Sequence, residues 1–437
     1  MAYHQPGNNR GGQDEREVAV SANLSPEVLV FFIGLFRRQT GHDASLAAAL
    51  SKQNASQLRL YTSGAGRAAL AQKGMHPATL AIIKYWTMSQ IALHPWLQAP
   101  EARVGTYNGA EMALSFGDPT AELTALRTGC GVFAMAWHGN INVTGKDRVR
   151  WLHNMVTNNV RDLPVNHGNY NFVLNAQGRI LGDMYIYNRG ESLVLDTDAS
   201  QVEPLINAMK RFIIMDKVEL LEVGADSVSV GICGPKAETV LATAGIKADG
   251  MQPLEVRDVG VESIAATLVR GPEQKTGWFE LWLDPNKAQD LWNLLVKAGA
   301  KPVGAEALET WRVLHGIPSY GQDIRDRDLP QETEQSQALN FTKGCYIGQE
   351  IVERIRSRGQ VHRKFTGFAF GDTVPALGKY DLEGRALAEV TSIARVPTTE
   401  GHRNIGLGYV RREAVAAEPK IVLSGIEATV VDLPFEI

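Results

Sequence analysis

The sequence predicts an α+β protein built from ferredoxin-like units, with a small β-barrel at its C-terminal end and a helical extension at its N-terminal end. Three observations support this. Short strands with alternating apolar residues recur between helix-length segments from about residue 131 to 300. After Lys364 the helical patterns stop and short strands crowd together, as in a small closed barrel. Residues 1–105 are instead alanine-rich and helical, with stops at Gly41, Gly64, Gly66 and Gly74. The expected divisions are 1–105, 106–360 and 361–437.

In the extension, Ser25-Pro26-Glu27 opens a helix to about Gln39, Asp43 caps a second to about Leu60, and Pro77 opens a third to about Leu93. His42, His76 and His94 have no ligand-pair spacing, so this part reads as an appendage without catalytic groups; a start codon assigned too far upstream is the other account of it. Next come a helix over 121–127, a strand starting at Val132, a strand over 139–145 with Ile141 and Val143 inward, and a helix over 147–155. Two strands around Ala176-Gln177-Gly178-Arg179 read as a hairpin, 171–175 with 180–187. A strand over 192–197, a helix over 201–212 and a strand over 218–223 complete this unit. The next repeats the style with strands over 228–232 and 277–283 and helices over 235–244, 288–298 and 305–314. Strands over 365–370, 386–390, 405–410 and 420–423 supply the barrel.

The chain has 437 residues, 44% apolar and 21% charged, which is the composition of a folded protein rather than a disordered one. A formal net charge of -4 implies no bulk polyelectrolyte partner, and no stable nucleic-acid complex is expected. Cys130, Cys233 and Cys345 lie far apart and form no Cys-x-x-Cys pair. A resident zinc or iron–sulfur site is therefore poorly supported, no metal ligands are expected, and a reducing cytoplasm fits this usage. The longest apolar run, Val28 to Phe36, is nine residues and is followed by Arg37-Arg38, too short for insertion in a membrane; it reads as a packed or membrane-surface helix. Gly64-Ala65-Gly66 lacks the rest of a dinucleotide fingerprint.

The most specific stretch is Asn340-Phe341-Thr342-Lys343-Gly344-Cys345-Tyr346-Ile347-Gly348-Gln349-Glu350, followed by Arg354. Lys343 and Arg354 are placed to favour a thiolate at Cys345. A helix over 346–358 is expected, with Ile347, Ile351 and Ile355 on one face. Cys345 is either a buried loop cysteine or a functional cysteine at a helix N-terminus. The run Arg354, Arg356, Arg358, Arg363 and Lys364 is either a solvated face or a site for a polyanionic tail.

Lys343, Gly344, Cys345, Tyr346, Gly348, Gln349, Glu350 and Arg354 resemble the signature of the YgfZ family, itself similar to the folate-binding T protein of the glycine cleavage system. The T protein lacks the cysteine, so the resemblance points to the iron–sulfur maintenance branch. It extends over roughly residues 107–437 and implies a T-protein-like core that binds tetrahydrofolate in a central pocket.

The same resemblance suggests site residues. Gly182-Asp183 matches a T-protein aspartate pair of which one member is catalytic; Asp183 therefore either bonds a pterin or closes a turn. Phe279-Glu280-Leu281 matches a strand whose glutamate accepts the amino-pyrimidinone N–H groups, with Tyr170, Trp278 and Trp282 as walls; otherwise Glu280 faces solvent between core aromatics. Arg312 pairs with a folate-tail carboxylate or with a carboxylate at a domain interface. The implied function is a folate-binding factor in assembly or repair of iron–sulfur proteins, partnered by client or assembly proteins, with Cys345 acting on them. The alternative is a tetrahydrofolate-dependent aminomethyltransferase or demethylase in which Asp183 is catalytic. A scaffold that has lost folate binding is the third.

Overall fold

The computed structural model describes residues 101–436 except 273–276, 360, 383 and 417; the three helices expected between residues 25 and 93 lie outside it. The described chain is α+β, as expected. It opens with a hairpin, β1 (Arg103–Tyr107) and β2 (Ala110–Ser115), followed by α1 (Pro119–Thr128). Asp118 starts that helix by accepting from Thr120 N at 2.9 Å, and Pro119 takes the first position, where its missing N–H costs nothing.

Two antiparallel sheets follow. One contains β3 (Gly131–Ala134), β9 (Val228–Cys233), β10 (Val256–Val261), β11 (Ile264–Arg270), β12 (Phe279–Leu283) and β13 (Lys301–Pro302), in the order β10-β11-β12-β9-β3-β13 with only β13 running parallel to its neighbour. The other contains β4 (His138–Thr144), β5 (Gly168–Leu174), β6 (Ile180–Asn188), β7 (Leu193–Asp198) and β8 (Glu219–Glu222), in the order β5-β6-β7-β4-β8. Helices α2 (Arg148–Met155) and α3 (Ala199–Lys210) cover the five-stranded sheet, burying Leu152, Leu205 and Met209 against Ile141, Ile186 and Leu195. Helices α4 (Ala237–Thr243) and α5 (Ala288–Lys297) do the same for the six-stranded sheet through Leu241, Leu291 and Leu295.

The last sheet is a nearly closed barrel of β14 (Arg363–Phe370), β15 (Gly378–Leu382), β16 (Arg385–Thr398), β17 (Gly401–Arg411), β18 (Lys420–Leu423) and β19 (Ile426–Val431), ordered β15-β16-β17-β14-β19-β18. Side chains from all six strands meet in one cluster, among them Phe368, Tyr380, Val390, Val410, Leu423 and Ala428, which a flat sheet does not permit. Helix α6 (Ala305–Leu314) joins this barrel to the six-stranded sheet: Leu308 and Trp311 share a core with Phe133, Val396, Leu407 and Tyr409.

Two hairpins, β1–β2 and β10–β11, and the strands β15 and β19 were not foreseen from the sequence. The signature helix, α7 (Gln349–Arg358), begins later than Tyr346. Gly348 has φ +83°, and a Cβ there would sit 2.6 Å from the Asn175 carbonyl, so the chain turns against the β5–β6 turn before the helix starts. Ile347 thus precedes the helix, and Val352 is its most deeply buried side chain.

Candidate functional site

A cavity of about 750 Å³ lies between the five-stranded sheet, β12, α6 and the barrel, within the range of sites for a small molecule. The register of the five-stranded sheet sets its polar wall. Antiparallel pairing places Tyr170 opposite Tyr185, Tyr185 opposite Asp196, Asn140 opposite Asp196 and His138 opposite Asp198. Alternation along each strand then turns Asp183, Tyr185, Asp196, Asp198 and His138 to one face, and all of them line the cavity.

Asp183 is held from two sides. Tyr170 donates its hydroxyl to Oδ2, and Gln201 of α3 donates to Oδ1 at 2.8 Å while accepting from Asp183 N at 3.0 Å. Burial raises the Asp183 carboxyl above the usual range against the pull of these donors. Asp183 sits within β6, so it does not close a turn; Asn175 does, accepting from Gln177 N and Arg179 N at 3.0 and 2.9 Å. The residue before it must be small: a Cβ on Gly182 would lie 2.7 Å from Leu205 Cδ2 and 2.9 Å from Gln201 Oε1. The room for a second carboxylate is thus taken by the helix that holds the first.

Glu280 enters from β12 and is buried, so the solvent-facing alternative does not hold. Trp278 and Trp282 donate their indole N–H groups to Oε1 and Oε2 at 3.0 and 3.2 Å. His138 bridges the two sheets, with Nδ1 3.1 Å from Asp196 Oδ1 and 3.8 Å from Glu280 Oε2. Burial opposes charge on this imidazole, but Asp196 and Glu280 outweigh it and hold it up to about 10. Burial, reinforced by Asp196, pushes the Glu280 carboxyl up. His138, Asp196 and Glu280 bring ligand atoms within 4.8 Å of one another. With the imidazole protonated, the three form a charge-assisted hydrogen-bond cluster.

Aromatic groups close the cavity. Trp278 packs on Trp311 at 5.2 Å, Tyr107 meets Trp137 edge-on at 5.4 Å, and Trp311 stacks on His315 at 4.2 Å. Trp282 stands behind Glu280 against Tyr187. Arg312 touches the cavity, but its donors reach Glu309, Asp323 Oδ2 at 2.5 Å, Ile317 O at 2.6 Å and Ser392 Oγ at 2.9 Å. Glu309 lies on α6 itself, Asp323 in the segment that follows it and Ser392 on β16, so these bonds tie α6 to that segment and to the barrel.

The signature loop lies outside this constellation. Cys345 is exposed and does not line the cavity. It is not at a helix N-terminus either, since α7 starts only at Gln349. The two cations expected beside it are engaged elsewhere. Lys343 is buried and donates to the carbonyls of His153, Val156 and Asn158; burial pulls its pKa down to about 7. Arg354 pairs with Glu350 at 2.6 Å. In the basic run, Arg356 pairs with Glu353, and Arg363 with Asp328, Glu332 and Glu389.

Sequence reasoning missed His138, Asp196, Asp198 and Gln201. A signal was present for three of them. His138-Gly139-Asn140 and Asp196-Thr197-Asp198 alternate polar side chains on strands whose other face is apolar, which marks a wetted or ligand-bearing face.

Residues 93–343 match the model of the GCVT N-terminal domain, a match that begins upstream of residue 107. The aminomethyltransferase of Rubrobacter xylanophilus is 30% identical over 362 residues, covering 80% of this chain and 94% of its own. That of Symbiobacterium thermophilum is 28% identical over 353 residues, covering 76% and 93%. The crystal structure of the glycine cleavage system aminomethyltransferase T from Bartonella henselae superposes with a TM-score of 0.70 at 21% identity, covering 79% of this chain and 97% of that one. Among the described residues, no helix is long and apolar enough to cross a membrane. A family match over more than half of the 437 residues, and a relative 30% identical along nearly its whole length, establish that the chain belongs to the GcvT-like aminomethyltransferase family.

Proposed function

We propose that this chain binds a reduced folate in the central cavity and uses it in one-carbon transfer of the aminomethyltransferase type. One observation carries the reading: two carboxylates from different sheets, the half-buried Asp183 and the buried Glu280, converge on one aromatic-walled cavity. The residues fit such a ligand. Glu280 has accepting capacity beyond its two indole donors and meets the N–H edge of a pterin. Trp278, Tyr170 and Tyr185 supply flat apolar surface, and Asp183 is the acceptor beside the reacting nitrogen. When bound, tetrahydrofolate supplies the nitrogen that carries the one-carbon unit. Asp183 holds or takes a proton there, kept in place by Tyr170 and Gln201. Arg312 acts as a brace beneath the cavity.

Calorimetric titration with tetrahydrofolate tests this. Wild type binds; Glu280→Gln, which turns a donor toward donors, binds about tenfold or more weakly. Asp183→Asn keeps binding but loses turnover of a glycine-, sarcosine- or dimethylglycine-derived donor by about 10²-fold or more. No binding by wild type under reducing conditions would sink the reading.

A second reading rests on Cys345. Its exposure, away from the cavity, within a segment that resembles the YgfZ signature, favours a role in assembly or repair of iron–sulfur proteins, with Cys345 engaging a client or assembly protein in a reducing compartment. Cys345→Ala then leaves folate affinity unchanged while lowering the activity of iron–sulfur enzymes in cells. Equal enzyme activities with and without Cys345 would remove this reading and leave the first intact.

A further inference from the structure

Asp198 ends β7 and immediately precedes α3, the place where an aspartate side chain ordinarily caps the helix by accepting from its first N–H groups. Here it does not. The Ala199 N–H is taken by the Trp137 carbonyl at 2.7 Å, and the Asp198 side chain makes no capping bond. Its carboxylate lines the cavity instead and, among the described residues, receives no hydrogen bond and no ion pair. The other carboxylates that line the cavity all have partners: at its rim Glu334 pairs with Arg412 and Asp432 lies 4.0 Å from Lys364 Nζ. Asp183 has Tyr170 and Gln201, Asp196 has Asn140 and His138, and Glu280 has the two indoles.

Register explains where it sits. The β6–β7 ladder ends at Tyr185 opposite Asp196; one same-face step beyond it, Asp183 and Asp198 are near enough for one charge to act on the other, and His138 pairs with Asp198 from the other side. Asp198 therefore stands beside the carboxylate assigned to the reacting nitrogen, and of the four carboxylates on strands β6, β7 and β12 it is the one without a donor among the described residues.

We propose that Asp198 is a ligand-binding residue of this cavity, accepting a hydrogen bond from an N–H or ammonium group of the bound molecule next to Asp183. This rests on the folate reading above and adds a residue to it. Asp198 is half-buried in the cavity wall, and a ligand that displaces solvent from it has to bring a donor of its own, which a nitrogen N–H supplies.

The electrostatics agree. Burial raises the Asp198 carboxyl, Asp183 and Asp196 raise it further, and His138 and Arg312 act against them, for a value of about 7. Tyr107 and Tyr170 also face it and remain neutral, since burial raises both phenols. His138 stays cationic through this range. An N–H donor prefers the carboxylate, so ligand affinity is full above about pH 7 and falls by up to about tenfold per pH unit below it.

The experiment is calorimetry with tetrahydrofolate between about pH 5.5 and 8.5 on wild type, Asp198→Asn, Asp198→Ser and Asp183→Asn, with melting curves to confirm folding. Asparagine and serine are both tolerated at a helix start. The expected result is affinity lowered about tenfold at the alkaline end in both Asp198 variants, with the wild-type pH dependence flattened. That dependence persists in Asp183→Asn. In wild type alone, ¹³C NMR of the aspartate carboxyls gives an independent readout: the carboxyl titrating near neutrality moves to lower pH on saturation with tetrahydrofolate. Binding by the Asp198 variants that matches wild type in strength and pH dependence, or a carboxyl titration that does not move, overturns this inference and leaves the folate reading standing. Absence of binding by wild type overturns both.

Discussion

The molecule buries two groups of charges, and they are built on opposite plans. At the joint between α6, the 316–334 segment and the barrel, Arg312, Arg325, Arg327 and Arg363 interlock with Glu309, Asp323, Asp328, Glu332 and Glu389. There the bonds formed with Arg325, and the attraction of its neighbours, outweigh burial and hold the Glu389 carboxyl below its ordinary value. On the cavity walls, Asp183, Asp196, Asp198 and Glu280 gather around His138, and burial pushes three of the four carboxyls up. A cluster whose charges are matched is a fastener, whereas one left short of donors stores an unmet demand that a ligand can satisfy. That contrast separates the structural arginine, Arg312, from the ligand-facing acids, although all touch the same cavity.

Breaking the joint has the largest expected effect. Arg312 and Asp323 are 10% and 0% exposed, so Arg312→Ala leaves the buried Asp323 charge without its cation and lowers stability by about 3–5 kcal/mol in urea unfolding. A loss below about 1 kcal/mol would mean the joint is no fastener.

The two clusters also respond to pH with opposite signs. Glu389 has a lowered pKa, so its contribution is present above the ordinary glutamate value and is lost as pH falls through the folded one. Asp198 has a raised pKa, so the folded protein holds a proton that the unfolded chain releases between the ordinary aspartate value and about 7. Its contribution therefore declines as pH rises across that window. Asp198→Asn flattens this decline, by about 1–3 kcal/mol over the window, in melts recorded as a function of pH. A wild-type profile that the substitution leaves unaltered would erase the distinction between the clusters.

The smallest effect belongs to the signature loop. Cys345→Ala changes stability by less than about 0.5 kcal/mol, because the thiol is exposed. Cys233→Ala, at a fully buried site in the core between α6 and the six-stranded sheet, costs more.

Much of the architecture was legible because periodicity reports burial. The hairpin around Gly178, the helix over 305–314 and the barrel strands follow from it directly. The β10–β11 hairpin was not seen, since Gly260 and the polar Arg257, Asp258 and Glu262 blur its alternation. Asp183 and Glu280 were found through a resemblance, and their surroundings were not. Gln201, His138 and Asp198 reach the site by sheet register and by the approach of α3, both long-range consequences of packing. The expected role of Lys343 beside Cys345 failed for a similar reason. Adjacency in sequence said nothing of the three carbonyls, from His153, Val156 and Asn158, that draw its ammonium inward.

The close fit between Gly348 and the Asn175 carbonyl bears on any attempt to transplant the signature segment. Gly178, at φ +70°, completes the seat: a Cβ there would lie 2.8 Å from Ile351 Cβ. The cysteine-bearing loop is thus moulded onto the tip of the hairpin whose strands carry Tyr170 and Asp183. Grafted alone onto a relative with a longer or bulkier turn, the segment would find no seat. Loop and turn have to be exchanged as a matched pair, and a graft that keeps both carries the cysteine and the ligand-facing hairpin together as one transferable cassette.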